Sequence, residues 1–171
     1  MLIQAGRPQQ YLKSIRQIFF ESSVKKDFRD EAERERFFQK WTEYYLSEFP
    51  KYVYTATNPS GEIMGYLMGC PDSRQALNHF AQQISSYSLF ADLFEYYPAH
   101  LHINLAESAR GHGLGGQLIE AFISDLKGCT GVHIVTAPTA RNVNFYRKNG
   151  FVHEEVRELN GIKYLFMGRS L

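Results

Sequence analysis

Cysteine is nearly absent from this chain. Cys70 and Cys129 are its two cysteines in 171 residues, and neither stands in a C-x-x-C pair. That usage argues against a disulfide framework or a structural zinc site and for a reducing, cytoplasmic setting, with each thiol packing as a small hydrophobe. Net charge is nearly absent as well. Nineteen Lys and Arg face eighteen Asp and Glu, which leaves +1 with the histidines neutral, so a broad phosphate-neutralising surface is lacking and nucleic acid is not an expected partner. Long apolar runs are missing too. No stretch reaches the roughly 18 residues of a spanning helix, and the mean hydropathy of -0.35 agrees, so no membrane association is expected. The opening MLIQAGRPQQYLK holds too short an apolar stretch for a secretory h-region and reads as a first strand. Repeats, low-complexity tracts and interdomain linkers are absent, so residues 1–171 are expected to form one domain, monomeric or homodimeric. A chain near 150 residues buries about 70% of its unfolded surface and folds without a metal or a disulfide.

Aromatic residues are plentiful, with 13 Phe, 11 Tyr and a single Trp. Leu2 to Ala5 predict a strand, and Tyr11, Leu12, Ile15, Ile18 and Phe19 recur at helical spacing. Lys25 to Arg36 carry both charge signs and predict an exposed turn and helix face. Phe37, Phe38, Trp41, Tyr44 and Tyr45 form a second helical stripe. Tyr52 to Thr57 and Glu62 to Cys70 flank Asn58-Pro59-Ser60-Gly61 and predict a hairpin. Residues 72–98 form a helical, aromatic-rich insert, followed by a strand from Leu101 to Leu105. A helix is predicted from Gln117 to Lys127, capped by Gly128, then a strand from Val132 to Thr136 and a short helix from Asn142 to Lys148. Val152 to Leu159 and Ile162 to Met167 predict a last hairpin turning at Asn160-Gly161. This order predicts an α+β domain with a mixed sheet.

The informative stretch runs from Leu105 through Arg110, Gly111, His112, Gly113, Leu114, Gly115 and Gly116 to Gln117, between a strand and a helix. Such a turn is an anion cradle: glycines let an anion approach the main chain, helix N-terminal N–H groups point at it, and Arg110 adds a cation. Gly111, Gly113 and Gly116 match G-x-G-x-x-G. The match lies two thirds along the chain, however, and the strand from Val132 to Thr136 runs into Ala137-Pro138 without a ribose-binding carboxylate, so a dinucleotide site is rejected. A P-loop is rejected because no Lys-Ser/Thr pair follows the last glycine. His100-x-His102 supplies half a metal site with no third ligand at a fitting spacing, so no metal is expected.

Arg110-x-x-Gly113-x-Gly115 after a strand resembles the acetyl-CoA pyrophosphate motif Q/R-x-x-G-x-G/A of the GNAT superfamily of N-acetyltransferases. Phe145-Tyr146-Arg147-Lys148-Asn149-Gly150-Phe151 resembles that family's F/L-Y-x-K/R-x-G-F signature, and the element order is also the family's. The stretch from His100 to Gly116 is further similar to the acetyltransferase-like domain attached to some O-GlcNAc-removing glycosidases. One departure is that Thr139 stands where the family often carries Asn, seven residues before the tyrosine, while Asn142 and Asn144 lie closer in.

The resemblance implies a GNAT fold: a mixed, mostly antiparallel sheet with splayed central strands, flanked by helices. It implies acetyl-CoA as co-substrate, a primary amine of a small molecule or peptide as acceptor, and direct attack through a tetrahedral intermediate. Backbone N–H groups from Arg110 to Gln117 would hold the pyrophosphate, main chain near Leu105 would pair with the pantetheine arm, and Asn142 or Thr139 would add a hydrogen bond. Tyr146 would protonate the departing thiolate. His102, titrating near neutrality, or Glu107 acting through water, would serve as general base. Tyr87, Phe90, Phe94, Tyr96 and Tyr97 would wall the acceptor pocket, and Trp41, Tyr44 and Tyr45 would close it. A catalytically silent CoA-binding or protein-interaction module of the same fold is the alternative.

Overall fold

Turn residues divide the chain into twelve regular elements, and a computed structural model describes all residues 1–171. In order they are β1 (Leu2–Ala5), α1 (Leu12–Ser22), α2 (Glu31–Glu48), β2 (Val53–Thr57), β3 (Ile63–Cys70) and α3 (Leu77–Gln83), then β4 (Ala99–Leu105), α4 (Leu114–Asp125), β5 (Gly131–Thr136), α5 (Val143–Lys148), β6 (His153–Leu159) and β7 (Ile162–Ser170). The strands make a mixed sheet in the order β1-β2-β3-β4-β5-β7-β6. No helix is long and apolar enough to cross a membrane. The chain divides into two compact units, Met1–Gly69 with His102–Asp125, and Cys70–Leu101 with Leu126–Leu171.

In the first unit β1 and β3 both pair antiparallel with β2. The β2–β3 turn closes through Asn58, whose side-chain oxygen accepts from Glu62 N–H at 2.9 Å while its carbonyl accepts from Gly61 N–H at 3.0 Å. The charged run before α2 resolves into a cap. Asp30 accepts from Glu33 N–H at 2.7 Å, and Glu33 reaches back to Arg29 N–H at 2.7 Å and to Lys25 at 2.8 Å, which holds its carboxyl well below the usual range. Phe122 of α4 is fully buried and lies edge-on to Tyr54 of β2. A Cβ at Gly69 would come within 2.2 Å of its ring, so α4 seats against β3 only where the strand has no side chain. The Tyr54 hydroxyl donates to Asp125 at 2.6 Å, tying the last residue of α4 to β2.

In the second unit β4 pairs parallel with β5 at Ala99↔Val132 and His100↔His133, and β7 lies antiparallel between β5 and β6. Asn160 and Gly161 sit at φ +52° and +77°, as a type I′ hairpin turn requires. The insert holds one short helix, α3, followed by a 3-10 run at Tyr87–Glu95 that kinks at Phe90. It does not form the longer helical stretch its composition suggests. Side-chain burial sets its path: Phe90 packs on Phe166 with ring centroids 5.4 Å apart, and Phe94 stacks on His133 at 5.0 Å.

His133 is 2% exposed, and its Nδ1–H donates to the Tyr97 carbonyl at 2.7 Å. Burial lowers its pKa from 6.5 to about 4. Below pH 6.5 the unfolded chain therefore takes up a proton that the folded chain refuses, and stability falls as the pH drops from 6.5 towards 4. The ceiling for this residue is about 3 kcal/mol. Urea unfolding at pH 7 and pH 4.5 is expected to show a smaller acid loss in His133→Phe than in the natural sequence. Equal losses in the two proteins would remove His133 as the cause.

Candidate active site

β4 ends at Leu105, and a 3-10 turn at Glu107–Ala109 carries the chain into α4. Arg110 N–H donates to the Glu107 carbonyl at 3.2 Å, and Gln117 N–H donates to the Gly113 carbonyl at 3.2 Å. Between them the N–H groups from Gly111 to Gly116 have no main-chain acceptor. Gly111 and Gly113 adopt φ +81° and +77°, and a Cβ on either would meet nothing within 4 Å. The turn is therefore held left-handed while opening into free space, where unspent donors and the positive end of α4 favour an anion. Leu114 and Gly115 are buried beneath it, whereas His112 and Gln117 are exposed. Two expectations narrow here, because Arg110 and Gln117 spend their main-chain N–H groups within the turn itself. The helix also begins at Leu114 instead of Gln117, since burial of Leu114 and Gly115 outweighs the low helix propensity of Gly115 and Gly116.

Arg110 does more than present a cation. Its Nε and Nη2 donate to the Leu105 carbonyl at 3.3 and 3.2 Å, and Nη2 donates to Ser22 Oγ at 3.4 Å. Ser22 Oγ in turn lies 3.5 Å from the same carbonyl. The guanidinium thus fastens the end of β4 to the end of α1 at the foot of the cradle. Ser22 escaped the sequence reading because 83 positions separate it from Leu105 and no local pattern links the two.

His102 and Asn104 share a polar array with Tyr66 of β3. Asn104 Nδ2 lies 2.8 Å from the Tyr66 hydroxyl and 3.2 Å from His102 Nε2. Phe19 and Tyr66 meet the His102 ring edge-on, each with centroids 6.1 Å away. Burial lowers the His102 pKa to about 4, and the Asn104 amide lies against Nε2 at 3.2 Å. This corrects the expectation of a histidine titrating near neutrality, since a group of such low proton affinity is a poor acceptor for an ammonium proton at pH 7. Glu107 is exposed on the turn and stays a candidate base.

The second unit holds Tyr146, and the spacing of its motif has a structural cause. Gly150 sits at φ +84° just past the end of α5, with Gly150 N–H donating to the Arg147 carbonyl at 3.1 Å and Phe151 N–H to the Tyr146 carbonyl at 3.1 Å. These bonds form a Schellman cap, completed by the Phe151 ring against Tyr146 at 5.4 Å. Tyr146 is 6% exposed, and burial alone raises its phenol pKa, with no hydrogen bond contributing. Asn142 Oδ1 accepts from Thr136 Oγ1 at 3.3 Å, and Thr139 is exposed.

The expected aromatic pocket wall is corrected. Phe90 and Phe94 are sealed in the core of the second unit at 0% and 2% exposure. Tyr87 is committed inward, its hydroxyl donating to the Ser73 carbonyl at 3.2 Å. Tyr97 packs on Phe166 and His153 and, with Tyr96 and Thr130, lines a surface groove of about 480 Å³. Their clustering in sequence could not say that Phe90, Phe94 and Tyr87 turn inward while Tyr96 and Tyr97 face a surface groove. Cys70 is buried, with its thiol pushed up to about 12 by desolvation.

A mixed sheet flanked by helices, with a glycine turn of unpaired N–H groups opening the helix after β4, makes an α+β domain. Residues 50–153 match the family model described as an acetyltransferase (GNAT) domain. The chain belongs to that family and is an acyltransferase. No curated protein matches the sequence. Among solved structures the chain is similar to SsHAT, with 20% identity, TM-score 0.74 and coverage of 99% of this chain and 97% of that one. It is also similar to the GNAT superfamily phosphinothricin acetyltransferase of Sinorhizobium meliloti in complex with AcCoA, with 18% identity, TM-score 0.61 and coverage of 99% and 88%. A third similarity is to the polyamine N-acetyltransferase of Drosophila melanogaster, which catalyses formation of N-acetylagmatine, with 14% identity, TM-score 0.65 and coverage of 99% and 99%.

Proposed function

We propose that this protein transfers an acetyl group from acetyl-CoA to a primary amine of a small molecule or peptide, without a metal, in the cytoplasm. The unspent N–H groups from Gly111 to Gly116 carry this reading. They form a charge-neutral donor set suited to a pyrophosphate, and the family's co-substrate supplies one. Arg110 holds the Leu105 carbonyl in place, which sets the end of β4 where main chain would meet the pantetheine arm and polarise the thioester oxygen.

In the proposed reaction the amine nitrogen attacks the thioester carbon through a tetrahedral intermediate, the carbon–sulfur bond breaks, and an amide forms. Tyr146 donates its phenolic proton to the leaving thiolate. Its raised pKa keeps that proton in place at neutral pH. The proton lost by the attacking amine passes through water towards Glu107, and solvent restores the phenol.

Calorimetry with acetyl-CoA and product analysis over a panel of primary amines test this function. Saturable binding and acetylation of at least one amine are expected. An absence of binding would remove the acetyl-CoA reading, and tight binding without transfer to any amine would identify a CoA-binding module instead.

A further inference from the structure

Among the Phe, Tyr and Trp side chains Tyr96 alone is exposed, at 62%. It follows the 3-10 run at Tyr87–Glu95, and the Tyr96 and Tyr97 N–H groups both donate to the Leu93 carbonyl, at 3.1 and 3.0 Å. Two glycines then seat Tyr97. A Cβ at Gly168 would come within 2.7 Å of the Tyr97 ring, and one at Gly131 within 2.7 Å of the same ring and 2.6 Å of the Tyr96 carbonyl. The ring therefore lies across β5 and β7 where both strands lack a side chain. Thr130 Oγ1 donates to the Tyr96 carbonyl at 3.2 Å, and His133 Nδ1 meets the Tyr97 carbonyl at 2.7 Å. His153 of β6, itself exposed, packs on Tyr97 with centroids 5.2 Å apart and ring planes inclined by 30°.

Tyr96, Tyr97 and His153 line one groove of about 480 Å³, within the size range of small-molecule sites. Glu95 lines it as well, and no Lys or Arg does. Arg74 lies 3.8 Å from the Glu95 carboxylate, and the two side chains are 58% and 68% exposed, so this pair holds the carboxylate only weakly. The groove belongs wholly to the second unit. It lies beside Thr130 at the Gly131 end of β5, whereas Thr136 at the other end meets Asn142. At about 3.3 Å per residue those two ends are about 17 Å apart.

We propose that this groove binds a quaternary ammonium group carried by a small molecule. Aromatic rings attract a cation through their negative faces, and the Glu95 carboxylate pulls in the same direction. An anionic ligand meets repulsion from Glu95, and a neutral apolar ligand gains nothing from it. A bare ammonium ion is compact and strongly hydrated, so it loses much on leaving water. N-methyl groups spread the charge over apolar surface, which gains from burial against the rings. A quaternary nitrogen has no lone pair and cannot be acetylated, so the ligand is not the acceptor of the acetyl group and the site stands apart from the acetyl-transfer reading.

The test is an NMR titration of the 15N-labelled protein, at constant ionic strength and without acetyl-CoA, using tetramethylammonium, tert-butanol and ammonium. The first probe carries both charge and methyl groups, the second the methyl groups alone and the third the charge alone. Tetramethylammonium is expected to give saturable shifts of the Tyr96, Tyr97 and Thr130 amides, with an affinity at least about fivefold above that of either other probe. Tyr96→Ala is expected to weaken this binding by at least about threefold and, because the side chain is exposed, to leave the urea midpoint unchanged. Glu95→Gln gives an independent second variant, which should weaken binding by about twofold and flatten its salt dependence. An absence of saturable shifts at these amides, equal affinity for tert-butanol or ammonium, or undiminished binding by both variants overturns the proposal. A trimethyllysine peptide that binds at least about tenfold more tightly than tetramethylammonium would assign the groove to a protein partner and overturn the small-molecule assignment.

Discussion

Gly113→Glu is expected to abolish measurable acetyl-CoA binding. Gly113 has φ +77° and open space where a Cβ would point, so a glutamate there extends into the region that the unspent N–H groups face. Its carboxylate occupies the position of the pyrophosphate and repels it, and a left-handed backbone strains any L side chain that lacks a short polar group. A loss of at least 100-fold in affinity, about 2.7 kcal/mol, should be seen by calorimetry. Gly113→Asn is the control, because asparagine tolerates the left-handed region and adds no charge; it should keep most of the affinity. Binding by Gly113→Glu within twofold of the natural protein would place the anion elsewhere.

Tyr146→Phe is expected to lower turnover by about 100-fold, the smaller end of the range for a positioned proton donor. Burial raises the phenol pKa and so reduces the driving force for releasing its proton, which places the effect at that smaller end. Affinity for CoA should change by less than about twofold, since the lost oxygen acts only when the thiolate forms. Stability offers a separate reading. The Tyr146 pKa shift has burial as its single cause, so deleting the hydroxyl should leave the urea midpoint nearly unchanged, within about 0.5 kcal/mol. Unchanged turnover at unchanged stability would exclude Tyr146 as the acid.

Much of the architecture was legible because local chemistry dictated it. Asn160-Gly161 predicts a primed turn, and both residues adopt positive φ. Asn58 to Gly61 predicts the turn between β2 and β3, and the main chain closes there. The Gly150-Phe151 pair reads as a family motif in the sequence and as a Schellman cap in the structure, where it fixes the end of α5 beside Tyr146. The start of α4 was less legible. Glycines 115 and 116 look like loop by propensity, and burial of Leu114 and Gly115 draws them into the helix.

The aromatic residues divide along the same line. Helical spacing groups Tyr87, Phe90 and Phe94, yet a stripe has no sign that says whether it meets a ligand or a core. His133 supplies the sign by stacking on Phe94. Phe94 lies within 5.0 Å of His133, and a ligand-facing role is closed to it.

The sequence by itself determined the order of elements, the turn chemistry and the glycine cradle with its family motif, because each depends on backbone preferences and side-chain periods set by neighbours along the chain. Tertiary structure alone decided how individual donors and protons are used. Arg110 spends its guanidinium on Leu105 and Ser22, and His102 loses its affinity for a proton inside an aromatic cluster. Those outcomes depend on desolvation and on partners distant in sequence, and neither the cost of burying a charge nor the distance to a partner is written in local pattern.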